Sequence, residues 1–493
     1  MQSLTRRRLL RSAVLLCKSL AGVFILGACR ERIVHVEKIV RVPEVVTKVV
    51  TEIVRETVVV EETQLVERTV EKVVTSTPAP KPRTTIVADV LDYGWTQFGM
   101  RMSAAFEEMF PNVTIVWRSL SSWHEYPQRI AALHASDQLG DLIEAPFGVL
   151  PRYWAQQEVI QSIDEIIESD GFDTSGIFKG AMDACLYAGQ HIGLPFISHA
   201  GENILLYNPD LFDQASAERP SADWTLDDLV AAASVLTVDQ DGNGIADRFG
   251  YAIRYNLPGA YPMLSVLGAE LLSKDGKRCA IESENGVACL EWAYEIHQRQ
   301  LAPRSSQIEG GGLEMFRTGR LAMVRHSLKT FVAMRRIAGD NQNIEAVLYP
   351  RHPITGKLGG IATGMAYCIT RNTRIPEQVF QWIKLVSGRE MGVQMFLRGY
   401  AEPGCRSASW KDPRVLEGFP ICAQIADSVD GAGPERLPWN LRIQECLDAW
   451  NKRTHALLLD EIKPDQCAQA ICEDIQEVLA ALPLSIKGLS ESS

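Results

Sequence analysis

The hydrophobic pattern divides the chain into three stretches of unlike character. Residues 12–28 form an apolar run behind a basic segment, and residues 30–75 mix valine, threonine and alternating charge. From residue 84 onward, strand-like and helix-like segments follow one another. "TTIVADVLDYG" reads as a strand entering a loop. Phe98, Met102, Ala105, Phe106 and Met109 keep near-helical spacing, and Pro111 and Asn112 stop that helix. Residues 113–117 read as a second strand, "PQRIAALHAS" as a helix, and "GDLIEAPF" as a short strand led by Asp141. This order is the signature of a parallel sheet covered on both faces, so the fold class is α/β. "QSIDEIIES" and "TLDDLVAAASVL" add helices, the second with Thr225 as N-cap and Asp228 where a capping acid belongs.

The first stretch has the layout of an export signal. Arg6, Arg7, Arg8 and Arg11 precede the apolar run, and the small residues Gly27 and Ala28 follow it. The run holds 17 residues and contains Lys18, which is short for a permanent span of about 20. "TRRRLLR" resembles the twin-arginine export signal, and "LGAC" (residues 26–29) resembles the bacterial lipoprotein box. The second resemblance implies cleavage before Cys29, lipidation of its thiol, and a mature chain of 465 residues. Two or more acyl chains suffice for stable anchoring, whereas one does not. The other reading of Cys29 is an unmodified cysteine ending a membrane-spanning helix. On the lipoprotein reading, residues 1–28 are the signal peptide and the protein is exported. It is then anchored to the outer face of the cell membrane or held in the periplasm.

Residues 29–83 read as a stalk or linker. Valine pairs at Val45-Val46 and Val49-Val50, then Ile53-Val54, are four apart and would stripe one helix face. The β-branched content favours extended chain instead. Thr51, Thr57, Thr63, Thr69 and Thr75 recur every six residues, which fits neither period. Both conformations stay open, and neither builds a globular core. "TSTPAPKP" closes the segment as a stiff spacer.

About 400 residues remain, more than a single core usually holds, so two lobes are expected. Net charge is −11 and no basic stripe interleaves with aromatics, which argues against nucleic acid as a partner. Nine cysteines follow Cys29, an odd number. Cys279 with Cys289 and Cys467 with Cys472 are the locally plausible pairs, although spacing does not give connectivity. None forms a CxxC, so zinc or thiol redox chemistry has little support.

Four stretches carry a resemblance to a known family. They are "FEEMFPNVTIVW" with "WHEYPQRIAALHASDQLGDLIE", then "HIGLPFISHAGENILLYNPDLFDQASAERPSADWTLDDLV". "MFRTGRLAMVRH" and "LGGIATGMAYCITRNTRIPEQVFQWIKLVSGREMGVQMFLRGYAEPGCRS" follow in the same order. The chain resembles the bacterial extracellular solute-binding proteins of ATP-driven sugar importers, the maltose-binding class. The resemblance implies a periplasmic-binding-protein-like fold of two α/β lobes with a ligand cleft, and an ABC permease in the membrane as partner. It implies lobe one from 84–200 plus 355–405, lobe two from 201–354 plus 406–485, and a tail at 486–493. The family's usual proline before Asp141 is replaced here by Gly140.

Sugars are held by rings stacked on their C–H faces and by polar groups in a confined cleft. The candidate rings stand in polar loops: Trp95, Trp123, Tyr126, Trp410 and Trp439. Trp95, Trp123 and Tyr126 follow strand ends, where parallel sheets bind ligands, and Trp123 is the first choice. Surface packing or cleft-rim cover is the alternative for each. Trp292 and Trp382 share helix faces with apolar neighbours and read as core; Trp224, ahead of the Thr225 cap, resembles the family's packing tryptophan, which implies core for it too. Glu144 and Glu202 are candidate acceptors for sugar hydroxyls. Gly360, in the glycine pair where the chain returns between lobes, is a candidate hinge or backbone contact.

"DQDGNGIADRFG" places Asp239, Asp241, Asn243 and Asp247 at calcium-loop positions, with Gly244 at the sharp turn. Position 12 is Gly250 where a bidentate Glu belongs, so a turn held by Asx hydrogen bonds competes with calcium binding. No other cofactor is indicated. No G-x-S-x-G or H-E-x-x-H occurs, and a secreted carbohydrate-active enzyme would need two placed carboxylates that no motif marks. Solute binding is therefore the expected function, with sugar as the ligand. A polyamine, a glycerol-phosphate compound or a peptide is the alternative ligand.

Overall fold

The structure is a computed structural model. It describes residues 50–56, 68–74, 83–120, 125–146, 149–200, 204–253, 263–273, 276–304, 307–308, 312–338, 344–359, 364–400, 402–432 and 442–481. The export segment and Cys29 lie outside the described residues. Residues 1–79 and 80–493 form two units. In the first, β1 (Val50–Glu56) and β2 (Arg68–Val74) pair antiparallel. Their register sets Glu52 opposite Lys72 and Glu56 opposite Arg68. Extended chain prevails there over the helical stripe, in line with the β-branched composition.

In the second unit the strands follow in order: β3 (Thr84–Leu91), β4 (Val113–Leu120), β5 (Leu142–Pro146), β6 (Leu186–Tyr187), β7 (Gln190–His191) and β8 (Leu194–Ser198). Then come β9 (Ile204–Tyr207), β10 (Phe249–Ala252), β11 (Leu321–His326), β12 (Glu345–Leu348) and β13 (Gly364–Ile369). Sheet one runs β4-β3-β5-β13-β8 and sheet two runs β10-β11-β9-β12. In sheet one β3 lies parallel to β4 and β5, and β13 runs against β5 and β8. In sheet two β10 and β11 are parallel, and β9 opposes β11 and β12.

Register fixes which end of each sheet faces the crossings. In sheet one Leu91 pairs with Leu120, Pro146 with Met365, and Gly364 with Ser198, so these residues share one end. In sheet two Ile204 pairs with both His326 and Leu348. The chain passes between the sheets at 199–203 and 349–363, leaving and entering by these ends. Ligands of open α/β sheets bind outside strand carboxyl ends.

One apolar cluster runs through sheet one and onto one side of sheet two, with Ile204 and Leu206 among its members. Leu205 and Tyr207 belong to a second cluster with Trp224, as strand alternation requires. A third joins the helices Glu284–Gln298, Ile443–Leu458 and Pro464–Ala480. Trp382 is fully buried and Trp224 nearly so; Trp292 is half-buried against two clusters. Thr225 and Asp228 form the expected capping box. Among the described residues no helix is long and apolar enough to cross a membrane.

The cysteine pairing differs from both local pairs. Cys279 bonds to Cys472 across 193 residues. Cys467 and Cys472 share one helix and, five residues apart, point roughly 140° away from each other. Cys289 lies inside the neighbouring helix and is buried as a free thiol, as is Cys467.

Candidate ligand-binding site

At the carboxyl end of β3 the chain turns through Asp92 and Tyr93 into helix α1 (Gly94–Met109). The turn is tight. A Cβ on Gly94 would lie 2.8 Å from the Tyr400 carbonyl oxygen, so only glycine lets the backbone approach so closely. Tyr93 and Trp95 stack face to face with centroids 4.7 Å apart and planes 4° from parallel. Trp95 is 6% exposed. The His199 ring, on the first crossing, stands 6.0 Å from it. His199 Nδ1 is 2.6 Å from Glu402 Oε2, and Glu402 is 1% exposed with its other oxygen buried and unbonded. Arg325 and His326 end β11 on the sheet-two side, where Ser327 caps the helix Leu328–Ala338 by accepting the Thr330 N–H. Rings, the bonded His199–Glu402 pair and a crossing segment thus gather at one place.

Behind the rings lies a polar network. Glu144, in the middle of β5, is wholly buried. Its Oε2 accepts the Leu91 N–H at 3.1 Å, and its Oε1 accepts the Thr96 hydroxyl at 3.0 Å and the Tyr367 hydroxyl at 3.2 Å. Burial pushes its pKa up to about 7, against the opposing pull of the donors from Leu91, Thr96, Trp95 and Tyr367. The buried Trp95 indole N–H lies near enough to help hold the charge, yet it has no hydrogen bond of good geometry. Asp89, also buried, accepts from Arg118 and from the Gly140 N–H at 2.8 Å.

Several expected ligand contacts are corrected by this geometry. Tyr126 is fully buried; its hydroxyl takes the Glu144 N–H at 3.0 Å and lies 2.9 Å from the Asp89 and Glu144 carbonyls. It fastens helix α2 (Tyr126–Ala135) to β3 and β5 and presents nothing to a ligand. Trp410 is likewise fully buried, its indole N–H donating to Gly404 O at 3.1 Å with Phe178 edge-on. Glu144 has no open face and stands behind the rings, not among the contacts. Trp95 stands at these strand ends, 6% exposed and packed within the sheet-one cluster. Trp123, Glu202, Gly360 and Trp439 lie outside the described residues. Tyr93, His199 and Glu402 join the site without having been singled out as contacts. Tyr93 was detectable as the ring two positions before Trp95. Glu402 was not, since it meets His199 from 203 residues away.

The Asp239–Asp247 loop is exposed, and the carboxylates of Asp239, Asp241 and Asp247 approach within 4.8 Å of one another. Asp239 already accepts the N–H groups of Gly242, Asn243 and Gly244, which lower its pKa, the Gly244 bond most. Gly250 is closed to any twelfth ligand: a Cβ there would fall 2.2 Å from Ala233 O, because the helix Leu226–Leu236 lies directly on β10. Elsewhere, a cavity of about 550 Å³ beside the second crossing is lined, among the described residues, by Arg351, Lys357, Gln424 and Asp427 with apolar neighbours and no aromatic ring.

Two α/β halves joined by crossings, with rings and charges where the chain crosses, define a periplasmic-binding-protein-like architecture. The chain belongs to the bacterial extracellular solute-binding protein family, whose pattern it matches over residues 95–391. No curated protein matches it in sequence. Among solved structures it resembles the sugar-binding protein MalE from Xanthomonas citri (TM-score 0.70, 16% identity, 80% of this chain and 98% of that one). It also resembles an ABC substrate-binding protein from Listeria monocytogenes in complex with cycloalternan (TM-score 0.65, 19% identity, 80% and 99%). A third is the cyclic alpha-maltosyl-1,6-maltose binding protein from Arthrobacter globiformis (TM-score 0.66, 14% identity, 80% and 99%). At these identities the likeness speaks for the fold.

Proposed function

We propose that this solute-binding protein takes a sugar or oligosaccharide between two lobes and delivers it to an ABC permease. The observation that carries the sugar reading is the stacked Tyr93–Trp95 pair beside His199 and Glu402, at the strand ends from which the chain crosses. A flat ring pair suits the C–H face of a pyranose, and the neighbouring imidazole and carboxyl suit its hydroxyls. The sugars named for the structural neighbours are in keeping with this. On this reading the sheets are the cores of lobes 84–200 plus 355–405 and 201–354 plus 406–485. Ligand touching both lobes favours the closed form through its higher affinity for that form. Lipidation at Cys29 would hold the body near the membrane, and the stalk would give it reach.

The test is mass spectrometry of solute co-purifying with the mature chain, followed by calorimetry with maltotriose, mannotriose and cycloalternan. A bound saccharide, with affinity lost by a few kcal/mol in Trp95→Ala, is the expected result. A charged or peptide solute in its place, with Trp95→Ala binding normally, would overturn the sugar reading. For the anchor, Cys29→Ser should move the protein out of the detergent phase; unchanged partitioning rejects it.

A further inference from the structure

Glu144 touches no solvent, yet it is bonded to both ends of the turn that carries the rings. Leu91 is the last residue of β3 and Thr96 lies in the first turn of α1. The two bracket Asp92–Trp95, and one carboxyl group accepts from both. Tyr93, at the N-cap of α1, makes no side-chain capping bond. The start of that helix therefore depends on neighbours for the negative charge its dipole favours.

We propose that Glu144 is a positioning residue for ligand capture: its carboxylate holds the Tyr93–Trp95 pair in place, and neutralising it loosens the pair and weakens binding. The inference rests on the reading of this pair as the sugar platform. Its basis is the donor count. A backbone N–H and two hydroxyls all donate to Glu144, which suits a carboxylate. A carboxylic acid must place a proton among groups that already donate, so one bond is lost or turned round. The raised pKa puts this change near neutrality.

The titratable groups around it are Tyr126 from α2, Tyr367 from β13 and Asp89 from β3, with His199 beyond Trp95. Burial pushes both tyrosines well above their ordinary values, so they stay neutral throughout this range. Asp89 is paired with Arg118. His199, the histidine beyond Trp95, is tested separately.

The experiment uses the full mature chain with maltotriose as probe, by calorimetry at about pH 8 and about pH 6, the range in which a carboxyl so raised changes charge. Wild type should lose affinity several-fold on acidification. Glu144→Gln should bind weakly at both values with a flat profile, and His199→Gln, whatever its affinity, should keep the slope. Tryptophan fluorescence without ligand supplies a readout that does not depend on the sugar reading. A pH-dependent change should appear in wild type and vanish in both Glu144→Gln and Trp95→Phe. If maltotriose binds neither protein, the sugar reading is at fault and the fluorescence still decides this proposal. A wild-type profile in folded Glu144→Gln, or a flat one in His199→Gln, overturns it. Should Glu144→Gln not fold, Thr96→Val removes one donor and keeps the carboxyl; it should weaken binding with little change in Tm. Normal binding in that variant also overturns the proposal.

Discussion

The two sheets bury different things. Sheet one carries acids in its interior: Asp89 on β3 and Glu144 on β5 are both wholly enclosed. Sheet two buries tyrosines and an arginine. Tyr251 and Tyr349 meet hydroxyl to hydroxyl at 3.0 Å, Tyr207 donates to Glu345, and Arg325 lies at the end of β11. A buried charge costs several kcal/mol unless donors surround it, so an acid inside a strand needs a reason to be there. In sheet one Glu144 takes its donors from Leu91, Thr96 and Tyr367, around the turn that carries the ring pair, whereas Asp89 takes its donors from Arg118 of β4 and from the Gly140 N–H ahead of β5. In sheet two the buried Arg325 acts on the Tyr251–Tyr349 pair, and apolar clusters cover both faces. A disulfide in the helical cluster beside it adds to this.

The largest effect expected is from the sheet-one core. Trp382 packs edge-on against Phe106 and Trp117 at 5.3 and 5.5 Å, and it is fully buried. Trp382→Ala should destabilise the protein by roughly 3–5 kcal/mol in urea unfolding. Half-buried Trp292 should cost clearly less, and equal losses would mean that exposure misplaces it. On the sheet-two side, Cys472→Ser opens the link to Cys279 and should cost about 2–4 kcal/mol. Hydrogen exchange should show the loss confined to the helices Glu284–Gln298 and Pro464–Ala480. Loss spread evenly through sheet one would deny that the halves are stabilised separately.

Stability against pH separates the halves further. The native Glu144 carboxyl keeps its proton up to about 7, whereas an ordinary carboxyl releases it near 4.5. Between those values the native state binds more protons than the unfolded one. Stability is therefore highest below that window, falls as pH rises through it, and stays lower above it. The whole shift corresponds to at most roughly 3 kcal/mol. Urea midpoints followed across the window should fall in wild type and be flatter in Glu144→Gln. Parallel profiles would remove Glu144 as the cause.

Much of the architecture was legible because periodicity and capping are local. The α1 spacing, the Thr225–Asp228 box and the strand at 142–146 all appear where the pattern put them. The site was legible only in part. Trp95 and Trp410 both stand in short polar stretches, yet Trp410 is sealed because its polar neighbours form a helical turn folded against Gly404 and Phe178. Tyr126 misled in the same way, its hydroxyl being spent on strand backbone. The Cys279–Cys472 and His199–Glu402 pairs join distant segments, which no local pattern marks. Gly140 stands where the resembling family has proline. Its N–H bonds the buried Asp89, and a Cβ there would lie 2.4 Å from Val87 O. Proline can supply neither the donor nor the space, so Asp89 and Gly140 depend on each other.

The smallest effect expected belongs to the acidic loop of the sheet-two half. Three exposed carboxylates repel one another, and a cation between them would relieve that. Two features keep the gain low. Asp239 is already engaged by three backbone N–H groups, and Gly250 cannot give way to the bidentate ligand that completes such loops. A site of this kind should bind no better than the weak extracellular class, with Kd near 10⁻³ M, so calcium at a matching concentration adds about 0.4 kcal/mol. The check is a thermal melt of the mature chain in millimolar calcium against chelator, for wild type and Asp239→Asn. A small rise in wild type, absent in the variant, is the expected outcome. Identical melts leave the loop as a turn held by Asx bonds. A large rise at micromolar calcium would mean that a further ligand completes the site.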